Sequence, residues 1–308
     1  MISLVKKYKI VSNNPYNDNP LNYKGLFIKD NWRDQYIDVI KKNNIKALFL
    51  NCSWGWNCND YSFFQKIPKL KEIDIIDSES DSIKSIEHQN ELEILGLNIP
   101  DSYFIDFSQL PQLRELFVYG RKNNLTLYQC ISLEKLYIDE FKLGDKHSLN
   151  QLHNLRELTI ANSNVTSLKF LEDLKKIEKL ELYNCRKILS FSYIEGLENL
   201  KRLHISGYKN INDISFICSL KNLEILLIDA GIVDSLEPIA HLPNLKALAI
   251  VGNNSIIKDR NIEPIKSLNK LSILNINNHK SYNYKINNYW NWNDYGKERN
   301  NWVTPQNR

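Results

Sequence analysis

A short apolar motif recurs along this chain at nearly constant spacing. Between residues 154 and 185 the pattern apolar-x-x-apolar-x-apolar occurs twice, and its two copies begin 22 residues apart, at Leu155 and Ile177. The same pattern begins at eleven places that lie 20 to 26 residues apart: Ile45, Leu70, Leu92, Leu113, Leu133, Leu155, Ile177, Leu200, Leu223, Leu245 and Leu271. A period of this length predicts an architecture built from stacked repeats.

Each copy of the motif predicts a short strand, because apolar positions four and six alternate with variable positions three, five and seven. A second apolar series follows the strand, and in one repeat it consists of Val165, Leu168, Leu171 and Leu174. It returns later as "IEGL", "ICSL", "IAHL" and "IKSL". One repeat alone cannot bury both series, whereas stacked repeats bury them as one continuous core.

These repeats resemble the leucine-rich repeat family, in particular its short class of roughly 22 residues. The segments "SLEPIAHLPNLKALAI" and "NIEPIKSLNKLSILNI" look very like bacterial internalin repeats. The resemblance covers residues 45–278. It implies an α/β solenoid, a horseshoe with a concave parallel β-sheet of about eleven strands.

Position nine of the repeat departs from the resemblance, which implies an asparagine that connects successive loops there. Only Cys185 and Asn253 are residues of the family's type at this position. Eight of the other repeats carry Ser53, Ser78, Pro100, Arg121, Phe141, Ser163, Tyr208 or Gly231. We therefore expect the loop hydrogen-bond ladder to be broken.

The segments before and after the repeats are predicted to cover the ends of the core. Residues 1–44 are expected to form an N-terminal cap, with strands at "KYKIV" and "GLFIKD" and an amphipathic helix within "NWRDQYIDVIKKNN". Residues 279–308 are Asn-rich and aromatic, with Trp290, Trp292 and Trp302 among them. They are expected to form a C-terminal cap or tail, and the alternative is a partner-binding segment.

Positions three, five and seven of the repeats point away from the core and predict a concave surface. Seven of these residues are acidic and three are basic, with four aromatic residues and one histidine nearby. Aromatic anchors among carboxylates favour a basic protein partner. The predicted partner-binding residues are Glu72, Asp74, Glu115, Phe117, Tyr119, Lys135, Tyr137, Asp139, Glu157, Glu181, Tyr183, Arg202 and His204.

The same positions become apolar in the late repeats. They carry Ile225, Leu227, Ala247, Ala249, Val251 and Ile273. An exposed apolar patch is usually covered or used for binding. We expect either the aromatic tail or a partner to cover it.

Nothing in the sequence predicts catalysis, a cofactor or a metal site. It contains no HExxH, GxSxG, P-loop or GxGxxG motif. The "Cys58-Asn-Asp60" stretch matches a Cys-x-Asp motif of some bacterial ubiquitin ligases that carry these repeats, but a structural cysteine is the preferred interpretation. The five cysteines follow no metal spacing and are expected to be reduced, with one disulfide in an exported protein as the alternative.

The bulk properties of the chain guide the prediction of partners and location. A net charge of +4 does not demand nucleic acid as a partner, and no apolar run is long enough for a membrane span. The first twenty residues lack the pattern of a secretory signal, so a cytoplasmic location is expected.

The sequence therefore predicts a non-catalytic protein-binding module. Its narrower form is a bacterial cytosolic immunity protein that occludes a cognate toxin, an analogy from fold and charge. One alternative is a regulatory scaffold or a delivered effector that binds a host or endogenous enzyme. The other is an enzyme that uses the tail or the N-terminal segment.

Overall fold

The structure is a computed structural model of the 308-residue chain. It describes residues 7–16, 19–58, 60–78, 83–99, 105–119, 126–140, 149–252 and 254–283. The chain divides into two compact units, and the boundary falls between Leu133 and Glu134.

The first unit contains a parallel sheet with one antiparallel strand at its start. β1 pairs antiparallel with β2, and β2 to β6 then pair in parallel and in chain order. One α-helix, α1 (Gln35–Asn43), lies between β2 and β3 in the chain. The strands are β1 (Tyr8–Asn13), β2 (Pro20–Ile28), β3 (Ile45–Asn51), β4 (Glu72–Ile76), β5 (Ile94–Asn98) and β6 (Glu115–Tyr119).

The two strands and the helix predicted before the first repeat are confirmed. α1 buries Tyr36 and Ile40, as its amphipathic pattern requires, and ends at Asn44 with φ of 50°. Before the helix, Trp32 stacks on Phe63 with 3.7 Å between the ring centroids. The role of residues 1–44 as a cap, of 45–278 as one solenoid domain and of 279–308 as a second cap stays a prediction, and residues 284–308 lie outside the described ranges.

The second unit repeats a strand-and-turn pattern with a regular register. Its long strands pair in parallel, so that Glu157, Lys179 and Arg202 lie side by side on three neighbouring strands. A separate two-stranded pair, β12 with β14, joins two of the loops. The strands are β7 (Lys135–Asp139), β8 (Glu157–Ala161), β9 (Lys179–Tyr183), β10 (Arg202–Tyr208), β11 (Ile225–Ala230), β12 (Ile232–Val233), β13 (Ala247–Val251), β14 (Ile256–Ile257) and β15 (Ile273–Ile276).

All eleven predicted repeat strands are present, and both apolar series are buried behind them. In the repeat that begins at Leu155, the template residues Leu158 and Ile160 are fully buried, as are Leu168 and Leu171 of the second series. The second series forms 3₁₀ turns, which return the chain in few residues to the next strand. These turns span Ser62–Gln65, Lys84–His88, Phe107–Gln109, Leu127–Gln129, Leu149–Gln151, Lys169–Asp173, Ser192–Gly196, Ser215–Ile217, Glu237–His241 and Glu263–Ser267. The predicted leucine-rich repeat solenoid is confirmed as the fold class.

Loop connections in the second unit form at position eight of the repeat, one residue before the position that the resemblance implies. Asn184 donates its side-chain amide to Asn162 at 3.1 Å, and Asn162 donates to Asp139 at 2.8 Å. Both asparagines have positive φ, 47° and 54°, a left-handed conformation that asparagine tolerates well. At position nine, the Cys185 thiol contacts the carbonyl oxygen of Ile160 at 3.4 Å.

One buried amide connects two repeats of the first unit, and its removal gives a first test of the fold. Gln89 is fully buried; it accepts from the Leu70 N–H at 2.8 Å and donates to the Phe64 carbonyl at 2.7 Å. We expect Gln89→Leu to lower the free energy of unfolding by about 2 kcal/mol, because two buried backbone groups lose their partners. Urea denaturation measures the change. Gln109→Leu, at an exposed site in the next turn, is the matched control and should change stability by under about 0.5 kcal/mol.

Candidate protein-binding face

Positions three, five and seven of β3 to β6 form what we call the first-unit face. Asp74, Glu115, Phe117 and Tyr119 lie on it, and all four are half-buried. The register places Asp74 beside Gly96 and Gly96 beside Phe117. The Asp74 carboxyl group extends over Gly96, since a Cβ at that glycine would lie only 2.7 Å from it. The missing side chain of Gly96 therefore makes room for the Asp74 carboxylate next to the aromatic ring of Phe117.

Glu72, predicted to be on the surface, is buried in the structure. Its carboxylate accepts hydrogen bonds from the Asn14 amide at 2.9 Å and from the Tyr23 hydroxyl at 3.0 Å, and only 4% of the residue is exposed. Burial, together with the negative charges of Asp74 and Glu115, raises the pKa of Glu72 to about 7. The side chain does point away from the apolar core, but residues from the β1–β2 hairpin pack over it.

Positions three, five and seven of β7 to β11, β13 and β15 form the second-unit face, and its centre is an ion-pair network. Glu181 lies 3.2 Å from the Arg202 guanidinium and 3.5 Å from the Lys179 ammonium, and Lys179 also lies 3.7 Å from Glu157. Lys135 approaches Glu157 from the other side at 3.8 Å. Burial opposes ionisation of Glu181, yet Lys179 and Arg202 lower its pKa.

Two aromatic residues predicted for this face are packed within it. The Tyr183 hydroxyl forms a hydrogen bond with Nδ1 of His204 at 3.0 Å, and their rings meet edge to face at 4.9 Å between centroids. Burial lowers the pKa of His204 to about 4 and raises the pKa of Tyr183, so both are neutral at pH 7. Tyr137 is only 6% exposed. These residues, like Glu181, are held by their neighbours and present little surface to a partner.

The sequence predicted one continuous acidic surface. In the structure, the acidic and basic residues are distributed unevenly between the two faces. The first-unit face carries three acidic residues and no basic one, whereas the second-unit face carries four acidic and three basic residues. Two of the acids on the second-unit face have local partners: Asp229 accepts from the Ser206 hydroxyl at 2.9 Å, and Asp139 accepts from Asn162. The negative charge is therefore concentrated on the first-unit face.

The apolar patch expected in the late repeats is largely buried. Leu227 is 6% exposed, and Ala247 and Ala249 are 2% and 4% exposed. Ile225, Val251 and Ile273 are half-buried. Neighbouring strands place small and large side chains side by side, Leu227 next to Ala249, so that each shields the other. Of the expected cover, the aromatic tail of residues 279–308, the structure describes residues 279–283, and residues 284–308 lie outside the described ranges.

The described residues hold no group of three or more His, Cys, Asp or Glu side chains that could bind a metal ion. All five cysteines are free, and burial raises the pKa of Cys130 to about 12 and of Cys185 to about 11. The Cys58 thiol donates to the Asp60 carbonyl at 3.2 Å, a local contact that fits the structural interpretation. Within the described part of the chain, no helix combines the length and apolar character that crossing a bilayer requires.

Sequence reasoning missed two residues that shape the first-unit face, Asn14 and Tyr23. Asn14 is 58 positions from Glu72 in the chain and Tyr23 is 49 positions away. Both belong to a segment without the repeat pattern, so no local spacing relates them to β4. Nearby, Val11, Tyr16, Leu21 and Tyr23 pack against Phe27, Ala47 and Phe49, which brings the hairpin onto the face.

The fold is the one that leucine-rich repeat proteins have, and solved structures show the likeness in detail. An internalin (inlF) from Listeria monocytogenes is 17% identical, with a TM-score of 0.52, and the match covers 77% of this chain and 82% of that one. The TLR13–ssRNA13 complex matches with a TM-score of 0.51 and 20% identity over 78% of this chain and 38% of that one.

A plant receptor also shares the fold. The ectodomain of GASSHO1/SCHENGEN3 from Arabidopsis thaliana, in complex with CASPARIAN STRIP INTEGRITY FACTOR 2, has a TM-score of 0.51 and 14% identity, and the match covers 80% of this chain and 34% of that one. This chain therefore spans little more than a third of the GASSHO1/SCHENGEN3 and TLR13 chains. No family model matches the chain, and no curated protein matches it. The likeness is one of fold.

Proposed function

We propose that the chain is a non-catalytic protein-binding module whose first-unit face binds a basic region of a protein partner. The narrower proposal is a bacterial cytosolic immunity protein that occludes a cognate basic toxin. The fold supports binding because a parallel sheet displays many side chains on rigid, closely spaced strands.

The observation that carries the proposal is the charge and composition of the first-unit face. Glu72, Asp74 and Glu115 lie close enough that the charges of the other two raise the pKa of Glu72. A lysine or arginine side chain placed there would relieve this repulsion and favour the ionised form of Glu72. Phe117 and Tyr119, both half-buried on β6 with Glu115, supply aromatic surface beside the carboxylates. Charge would steer the encounter and the aromatic rings would contribute buried area.

The alternatives differ in what the protein does to a cell. An immunity protein is harmless alone and protects against one toxin, whereas a delivered effector or regulatory scaffold perturbs a host or endogenous enzyme. Expression with and without the captured partner separates them. An enzyme would instead show turnover that depends on one or two polar residues.

Neutralising two carboxylates tests the face. We expect Asp74→Asn combined with Glu115→Gln to weaken binding of a basic partner by about 2 kcal/mol, roughly a thirtyfold loss, because two charge contacts disappear. The measurement is affinity capture of the partner from the native cells with the tagged protein, followed by titration of the purified pair by calorimetry. The salt dependence of the affinity should also become weaker in the variant.

The matched control for this charge change is Glu172→Gln combined with Glu195→Gln. Both glutamates are exposed on 3₁₀ turns of the second unit and belong to neither face. The control should bind as the wild type does. Equal affinity of all three proteins for the captured partner would contradict the assignment of the first-unit face, and an acidic partner would contradict the charge argument.

A further inference from the structure

The outer edge of β1 carries backbone groups that no strand uses among the described residues. β1 lies first in the order of the first-unit sheet, and β2 pairs with one side of it. The Lys29 N–H donates to the Lys7 carbonyl at 2.9 Å, so the residues that face β2 alternate from Lys7 through Lys9 to Val11. The N–H and C=O groups of Tyr8 and Ile10 therefore point away from β2. Such an edge is a template for another extended chain.

A cavity of about 620 Å³ runs along this edge. Its apolar lining includes Val11, Phe27 and Trp54, and Trp54 is 42% exposed even though it packs edge to face on Phe27 at 5.1 Å between centroids. Ile10 is also exposed, at 38%. A side chain of a segment that pairs with β1 could cover this solvent-exposed aromatic surface.

The charged groups that line the cavity are both positive. Lys9 and Lys29 contribute two ammonium groups, the lining contains no acidic residue, and neither lysine has an ion-pair partner among the described residues. The Lys29 ammonium lies 5.2 Å from the centre of the Phe27 ring. Lys7 is different, since it pairs with Asp30 at 2.6 Å. The cavity therefore suits an acidic side chain next to an apolar one.

The same charges argue against a second copy of this chain as the occupant. β1 has the sequence YKIVSN, with one lysine and no acid, and Lys7 precedes it. Two β1 strands that paired edge to edge would bring lysines of both copies together, and like charges across a strand pair are destabilising.

We propose that the β1 edge docks an extended acidic segment of a partner protein. The segment adds to the sheet through the outward backbone groups of Tyr8 and Ile10, places a carboxylate near Lys9 and Lys29, and lays an apolar side chain on Trp54. Backbone pairing would provide affinity, and the cavity would provide selectivity for acidic sequences. This surface is opposite in charge to the acidic cluster of the first-unit face.

Two labelled heptapeptides test the proposal with the full-length protein. The probe is acetyl-Thr-Glu-Thr-Phe-Thr-Glu-Thr-amide, whose alternate residues share one face of a strand, and its control replaces both glutamates by lysine. Fluorescence anisotropy at low ionic strength should show binding of the acidic peptide and at least tenfold weaker binding of the lysine peptide. No binding of the acidic peptide, or equal binding of both, would overturn the proposal.

Two sets of variants locate the binding at the edge. Ile10→Pro removes an outward N–H and leaves the β1–β2 hydrogen bonds in place, so it should weaken acidic peptide binding at least tenfold, whereas Ile10→Val should not. Lys9→Glu combined with Lys29→Glu should reverse the preference toward the lysine peptide. Lys41→Glu combined with Lys42→Glu, an equal charge change on the exposed end of α1, should leave the preference unchanged.

Two further measurements test whether the β1 edge is the binding site. Asp74→Asn with Glu115→Gln should bind the acidic peptide as the wild type does, so failure of the proposed basic partner and failure of the edge can be told apart. Light scattering reports the oligomeric state. A dimer of the wild type that Ile10→Pro converts to monomer would assign the edge to a second copy and overturn the proposal.

Discussion

Replacing Glu181 by alanine is expected to lower the free energy of unfolding by about 3 to 5 kcal/mol. The Glu181 side chain is 8% exposed and lies within 3.5 Å of Lys179 and 3.2 Å of Arg202, whose side chains are 18% and 11% exposed. Removal of the carboxylate leaves a buried guanidinium without its counter-ion and also removes the acceptor of the Thr159 hydroxyl. Urea denaturation at neutral pH measures the change.

Glu178→Ala is the matched control. Glu178 directly precedes β9 and lies outside the second-unit face. Glu178 also has two cationic partners, Arg156 at 2.5 Å and Lys201 at 2.7 Å, but those cations are more than half exposed. Exposed pairs contribute under about 1 kcal/mol, so the control should have a small effect. In the double variant Glu181→Ala with Arg202→Met, the loss of stability should be smaller than the sum of the losses in the two single variants. The reason is that the double variant no longer buries the Arg202 charge without the Glu181 carboxylate. Equal effects of Glu181→Ala and Glu178→Ala would contradict the structural role of the network.

The pH dependence of stability should contain two opposite contributions, one from each unit. Glu72 has a folded-state pKa of about 7 against an ordinary value of 4.5, so the native state binds its proton more tightly than the unfolded state does. Its contribution to stability is present below pH 4.5 and is lost as the pH rises through 7. His204 has a folded-state pKa of about 4 against 6.5, so its contribution is present above pH 6.5 and is lost as the pH falls through 4.

Each pKa shift corresponds to a change of about 3 kcal/mol in the free energy of unfolding across the pH range between the two pKa values of that group. Between pH 4.5 and 6.5 the two contributions change in opposite directions and nearly cancel. Relative to the wild type, Glu72→Gln should therefore gain about 3 kcal/mol when the pH rises from 4.5 to 8. His204→Gln should show the reverse, a relative gain of similar size when the pH falls from 7 to 4. Chemical denaturation of both variants and the wild type across this range measures the differences. Parallel stability curves for Glu72→Gln and the wild type would show that Glu72 titrates normally.

These two predictions separate stability from binding at residues that the sequence had grouped together. Glu72, Glu181, Tyr137 and His204 were all predicted as partner contacts because their repeat positions point away from the core. In the structure they are buried or satisfied by neighbours, and their replacement should act mainly on folding. Asp74, Glu115, Phe117 and Tyr119 keep more of their surface and remain the candidates for direct contact.

The sequence by itself determined the repeat, its eleven strands and the residues that fill the core. Leu155, Leu158 and Ile160 illustrate why: a strand's side chains alternate locally, and the same local rule is repeated at each period, so position predicts burial without knowledge of any distant contact. The helix before the first repeat was predictable for a similar reason, since the spacing of Tyr36 and Ile40 is a local signal.

The tertiary structure alone decided which side chains on the repeat faces are available. Asn14 and Tyr23 cover Glu72 from a segment without the repeat pattern, and Arg202 neutralises Glu181 from the neighbouring strand. Whether a carboxylate at such a position is exposed, protonated or paired depends on groups 21 to 58 residues away in the chain. Burial and electrostatic energy depend on distance in space, and a periodic pattern specifies only the direction in which each side chain points.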